Sequence, residues 1–178
     1  MLMKKGFLGL LCAMNTLAAI SQTPDDAKKS IYYERYTTAE DQLQKIVKAD
    51  PANAEAWYLL SKAYIQSNDA APLQQLLAQS PAAIQGEPFY QVAYGSLLLN
   101  KDNKDSARYY FDQALDKTRE KNPDILSAIA NAHIIAKTGD AGYAAQLLNK
   151  AIDRDKKNPA LYTMLGDAHR KLGNGSEQ

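Results

Sequence analysis

One pattern of about 34 residues recurs along the chain. Small residues fall at Ala27, Ser61, Gly95, Ala132 and Gly166, spaced by 34, 34, 37 and 34. Twelve residues after each of the first four come Ala39, Leu73, Ala107 and Ala144. A fixed period of this size dictates a repeat architecture, because one such unit cannot bury its own apolar face and must stack on a neighbour. Within the units the periodicity is helical. Trp57, Leu60, Ala63 and Tyr64 form one stripe, and Ala39, Leu43, Ile46 and Val47 form another. Ala107, Phe111, Ala114 and Leu115 follow the same spacing, as do Ala144, Leu148, Ala151 and Ile152. Seven residues after the small residues stand Glu34, Asn68, Asp102, Gly139 and Gly173. All but Glu34 are residue types that tolerate a left-handed backbone at a helix end. Each unit therefore reads as a helix, a tight turn and a second helix.

The predicted helix pairs cover 25–35 with 36–49, 53–67 with 70–80, 88–101 with 104–120, and 124–138 with 141–155, followed by a lone helix over 159–172. The corresponding repeats run over about 20–53, 54–87, 88–124, 125–158 and 159–178. Pro81 cuts the second helix of its unit short. The link from Ser80 to Pro88 is expected to bend the stack or loosen its packing.

The first 21 residues read differently. Met1-Leu2-Met3-Lys4-Lys5 is a short basic start, an apolar run follows from Gly6 to Met14, and Ala19-Ile20-Ser21 precedes Gln22 as a small-x-small cleavage site. This is the layout of a secretory signal peptide over 1–21, which predicts an exported, periplasmic protein whose remaining chain does not span a membrane. Cys12 is the single cysteine. Leu11 stands where a lipoprotein signal requires a small residue, so lipidation at Cys12 is not expected. Residues 22–178 carry 19 Lys and Arg, the 21 of the whole chain less Lys4 and Lys5, against 20 acidic residues. No basic block favours nucleic acid.

Several motifs carry a family resemblance. Trp57-x-x-Leu60-Ser61-x-x-Tyr64 resembles the first-helix signature of the tetratricopeptide repeat, with serine for the usual glycine. Ala107-x-x-x-Phe111 resembles its second-helix signature. Tyr162-x-x-Leu165-Gly166 repeats the first, and Pro51 and Pro159 stand at the closing proline. Asp26, Asn131 and Leu73 depart from the pattern. The resemblance covers residues 22–174. It implies an all-α fold, a right-handed superhelical solenoid of antiparallel helix pairs, with the first helices lining an inner concave surface.

With the core stripe set by the motif, the opposite face of each first helix is predicted to line the groove. That face carries Tyr58, Lys62 and Gln66, then Val92, Ser96 and Asn100, then Ile129, His133 and Lys137, and last Thr163, Asp167, Arg170 and Lys171. Asn100, Lys62, Lys137 and Arg170 would bond a peptide's backbone or carboxylates. His133 and His169 are the two histidines, and no cysteine or carboxylate stands at ligand spacing beside them, so no metal or cofactor is expected. No nucleophile elbow or phosphate loop occurs, so neither catalysis nor a small-molecule substrate is expected. The expected function is a non-catalytic scaffold that binds another protein or peptide. An alternative is the repeat region of a larger enzyme or transducer, since Gly173-Asn174 announces a turn to a helix the sequence lacks. A third reading, from the tyrosines of an exported protein, is a carbohydrate or peptidoglycan binder.

Overall fold

The computed structural model describes residues 23–175, and the signal-peptide reading of residues 1–21 lies outside them. Among the described residues the structure is all helical. The elements are α1 (Pro24–Tyr32), α2 (Tyr36–Ala49), α3 (Ala54–Gln66), α4 (Ala71–Ala78), a short 3-10 turn (Ala82–Ile84), α5 (Pro88–Asn100), α6 (Lys104–Thr118), α7 (Pro123–Ile135), α8 (Ala141–Arg154) and α9 (Pro159–Gly175).

Local chemistry sets the helix starts. Thr23 closes a capping box with Asp26 on α1. The side chains of Asn53, Asn103, Asn122 and Asp140 accept backbone N–H groups in the first turns of α3, α6, α7 and α8. Proline occupies the first helical position of α5, α7 and α9, where its missing N–H costs nothing. Glu34, Asn68 and Asp102 turn the chain with φ of 57, 60 and 60°. Gly139 and Gly173 depart from expectation. Neither has a positive φ, and α9 runs through Gly173 to Gly175. Gly139 is required for space instead: a Cβ there would stand 2.1 Å from the carbonyl oxygen of His133.

Two apolar clusters follow one another along the stack. The first joins α1 to α4 around the fully buried Leu43, Leu60 and Leu73. The second joins α6 to α9 around Phe111, Leu126, Ile129 and Leu148. α5 feeds both, giving Tyr90, Ala93 and Leu97 to the first and Val92 and Leu99 to the second. A helix apolar on all sides is what such a place requires. Truncating any of the fully buried leucines would cost about 2–5 kcal/mol.

The small-residue slots explain the close crossings. A Cβ on Gly95 would fall 2.6 Å from the Phe111 ring, so α6 lies directly on α5. Ser61 is fully buried, and its hydroxyl donates to the backbone carbonyl of Ala93 at 3.1 Å. A serine in the glycine slot thus ties α3 to α5. Beside this contact the outer layer is short: α4 has 8 residues, against 14 in α2 and α8 and 15 in α6. The link after Pro81 is loop and 3-10 turn.

Candidate partner-binding surface

The face predicted to line the groove is clearest on α3. Tyr58, Lys62 and Gln66 follow one another at four-residue steps and are all half-buried. Tyr58 stacks on Phe89 of α5, with ring centres 5.6 Å apart. Burial, and secondarily the charge of Glu55, pushes its phenol well above the ordinary range. Burial pushes the Lys62 ammonium down. Lys62 forms no ion pair or hydrogen bond with any described residue. One turn on, Gln66 Oε1 is buried and has no hydrogen-bond partner among the described residues. Three polar groups thus stand in a row on one helix, with a positive charge at the centre and an open acceptor at the end.

The rest of the predicted face divides. Asn100 is exposed at the end of α5. Val92 and Ser96 are buried, contrary to expectation, because α7 and its neighbours pack on that side of α5. The Ser96 hydroxyl is used internally, donating to Val92 O at 2.7 Å.

On α7 the expected register is two residues out. Counted from the proline that opens each helix, the eighth residue is Gly95 in α5 and Gly166 in α9, and in α7 it is Ala130, not Ala132. The two additional residues lie in the turn between α7 and α8, where Ala136 is extended. Three corrections follow. Ile129 is fully buried in the second core cluster. His133 turns toward the preceding outer helix, its ring 5.4 Å from Phe111 and 5.2 Å from Tyr143. Its Nδ1 accepts the N–H of Asp140 at 3.1 Å. Burial lowers its pKa to about 4, against a smaller opposing effect of Asp140. Lys137 lies beyond the helix, exposed in the turn. The residues that take the places of Tyr58, Lys62 and Gln66 are Ser127, Asn131 and Ile135, all half-buried. Asn131, out of place in a leucine slot, fits this face. The opening prolines Pro88, Pro123 and Pro159 are the sequence signal that agrees with this register.

On α9 the predicted residues also separate. Asp167 and Arg170 pair with each other at 2.7 Å on the surface. Lys171 is consumed by the fold. Its ammonium donates to the carbonyl oxygens of His133 (2.9 Å), Ile134 (3.1 Å) and Ala136. The carbonyls of His133 and Ile134 are at the end of α7, which the extended Ala136 closes, while Ala136 O also accepts the N–H of Gly139 at 3.0 Å. Thr163 is exposed and donates to Pro159 O at 3.3 Å.

Stacked two-helix units of this kind define a helical repeat solenoid. A scan against protein families matches residues 31–98 to the tetratricopeptide repeat family. Among solved structures, a thermophilic TPR protein from Thermus thermophilus superposes with a TM-score of 0.55 at 18% identity, over 83% of this chain and 81% of that one. That likeness is one of fold. A search of curated proteins finds no match. Residues 31–98 thus match the tetratricopeptide repeat family, the described residues share the fold of a TPR-like helical solenoid, and such repeats bind proteins or peptides.

Proposed function

We propose that this protein is a non-catalytic scaffold that holds a partner protein through a segment laid along its first helices, α3, α5 and α7. The observation that carries this reading is the row on α3. A half-buried ammonium with no counter-charge, beside a buried amide oxygen with no donor, is unfavourable in the free protein and favourable once a ligand supplies both. An acidic side chain of an extended or helical segment answers Lys62, and an N–H from the same segment answers Gln66 Oε1. Asn100 and Asn131 offer further amide groups on the neighbouring first helices. The basic start, apolar run and small-residue site of residues 1–21 support export and an envelope setting for the complex.

The test is affinity capture from the envelope fraction of the source cell, with four baits. The wild-type chain is expected to recover a specific partner and the Lys62→Glu variant to lose it. The Lys137→Glu variant keeps it, since Lys137 lies in the turn. Lys62→Gln, which removes the charge without reversing it, guards against misfolding of the reversal and is expected to weaken recovery. Equal recovery by wild type and both Lys62 variants would remove the α3 row as the binding site.

A further inference from the structure

The second helices are unevenly anchored, and α4 is the weakest of them. It seals two side chains, Leu73 and Leu77, where α2 and α6 each seal four and α8 seals six. Its first turn has no side-chain cap, whereas Asn103 and Asp140 cap α6 and α8. Beyond Gln79 the chain adds one further apolar anchor, Ile84, in the short 3-10 turn. Resistance to local opening comes mainly from buried apolar contact, so a helix with half the anchors of α2 or α6 is the first to leave.

Two polar contacts hold the middle of this segment. The Tyr90 hydroxyl, buried on α5, donates to Leu77 O at 3.0 Å and accepts from the Ser80 hydroxyl at 2.7 Å. The two ends are tied separately. The N–H of Asp69 donates to Tyr64 O at 3.0 Å, closing the turn after α3. Gly86 O accepts from the Lys117 ammonium of α6 at 2.9 Å, and Glu87 pairs with the same group at 3.0 Å. A segment fastened at both ends and thinly anchored between them can swing out without pulling its neighbours apart. Beneath it α3 and α5 keep their own contacts, since Ser61 donates to Ala93 O and Tyr58 stacks on Phe89.

We infer that residues 70–85 form a strap that opens as one unit, with Tyr90 as its latch, while α1–α3 and α5–α9 stay folded. The latch is central because one hydroxyl holds both the last turn of α4 and the residue that leaves it. Opening bares the sides of α3 and α5 that α4 covers in the closed chain.

The experiment is hydrogen exchange of the full chain, read by mass spectrometry of its peptides, with acrylamide quenching of Trp57 beside it. Trp57 is the single tryptophan and lies on α3, edge-on to Tyr90 with ring centres 6.5 Å apart. The expected result is exchange across the strap at least about tenfold faster than across α6 and α8. Tyr90→Phe keeps the ring and removes both latch bonds. It is expected to speed exchange of the strap about tenfold more, with α6 and α8 unchanged and Trp57 as shielded as before. Ser80→Ala removes one of the two bonds, and a smaller rise confined to the same residues is expected. Phe111→Leu, in the other core cluster, is expected to speed exchange in α6 to α8 and leave the strap unchanged. Equal rates in α4, α6 and α8 would overturn the inference, since the stack would then open together. A speeding by Tyr90→Phe that reaches α6 and α8 would overturn it too. So would a rise in Trp57 quenching in that variant, which would carry the opening into α3.

Discussion

Lys62 and Lys171 are two lysines of first helices, both half-buried, both with their pKa lowered by burial. Their surroundings differ in one respect. Lys171 meets three carbonyl oxygens at the frayed end of α7, whereas Lys62 meets no described partner. The first is a structural cap: its charge is answered inside the chain, and it pins α9 to the preceding pair. The second is an unanswered charge in a surface row, held in place by the helix and its neighbours. Side-chain type and spacing could not tell them apart, since both stand on faces expected to line the groove. What the neighbouring backbone does is what separates them. An intact helix runs under Lys62, and a helix that ends abruptly in the extended Ala136 lies opposite Lys171.

The largest expected effect tests the cap. Lys171→Met keeps the aliphatic stem and removes the ammonium from all three carbonyls, of which Ala136 O keeps the N–H of Gly139, and charged hydrogen bonds of this kind are worth roughly 1.5–3 kcal/mol. The expected loss is about 3 kcal/mol in urea unfolding, with the reading at the α9 end. A loss below about 0.5 kcal/mol, the scale of an ordinary surface substitution, would show that solvent caps α7 equally well. The contrast between the two lysines would then not be one of structure.

A second test uses His133, whose carbonyl is one of the three acceptors. In the folded chain its imidazole has a pKa of about 4, against 6.5 in an unfolded one, so the native state favours the neutral ring. The stability this gives is fully present above pH 6.5 and is lost as the pH falls from there toward 4. Protonation also breaks the Asp140 N–H contact at Nδ1 and places a cation near Lys171, with Asp140 as the opposing charge. Allowing for partial exposure, the expected decline is on the order of 2 kcal/mol over that window. His133→Gln is expected to flatten it, as followed by thermal unfolding at pH 7, 6, 5 and 4.5. An equally steep decline in the variant would assign the acid sensitivity to carboxylates elsewhere.

The repeat made most of the fold legible. The helix ends were readable because the caps are local chemistry: Asn53, Asn103, Asn122 and Asp140 each bond backbone within three residues of themselves. The irregular link after Pro81 was readable for the same reason. The face of α7 was not, because a two-residue insertion in the turn keeps helical periodicity while rotating the helix by more than half a turn. Counting back from the turn residue Gly139 gives Ala132, and counting forward from Pro123 gives Ala130. Only packing decides between them, through the burial of Ile129 and the contact of His133 with Phe111. The burial of Ser96 and the capture of Lys171 were hidden by distance in the chain. Both depend on α7, which belongs to a different repeat from either residue.

The smallest expected effect on stability belongs to Lys62, the lysine proposed to hold the partner. Lys62→Met removes a charge that nothing inside the chain answers, and replaces it with a stem of similar length. Substituting an unpaired, partly buried charge by an apolar side chain is neutral or stabilising when the packing is kept. The expected change is between zero and a gain of about 1 kcal/mol, with recovery of the captured partner lost. That pairing of outcomes is what a binding residue requires and a structural one forbids. A Lys62→Met chain less stable by about 2 kcal/mol, the worth of a charged hydrogen bond, would place its ammonium in an internal contact after all. The difference between the two lysines would then be one of degree.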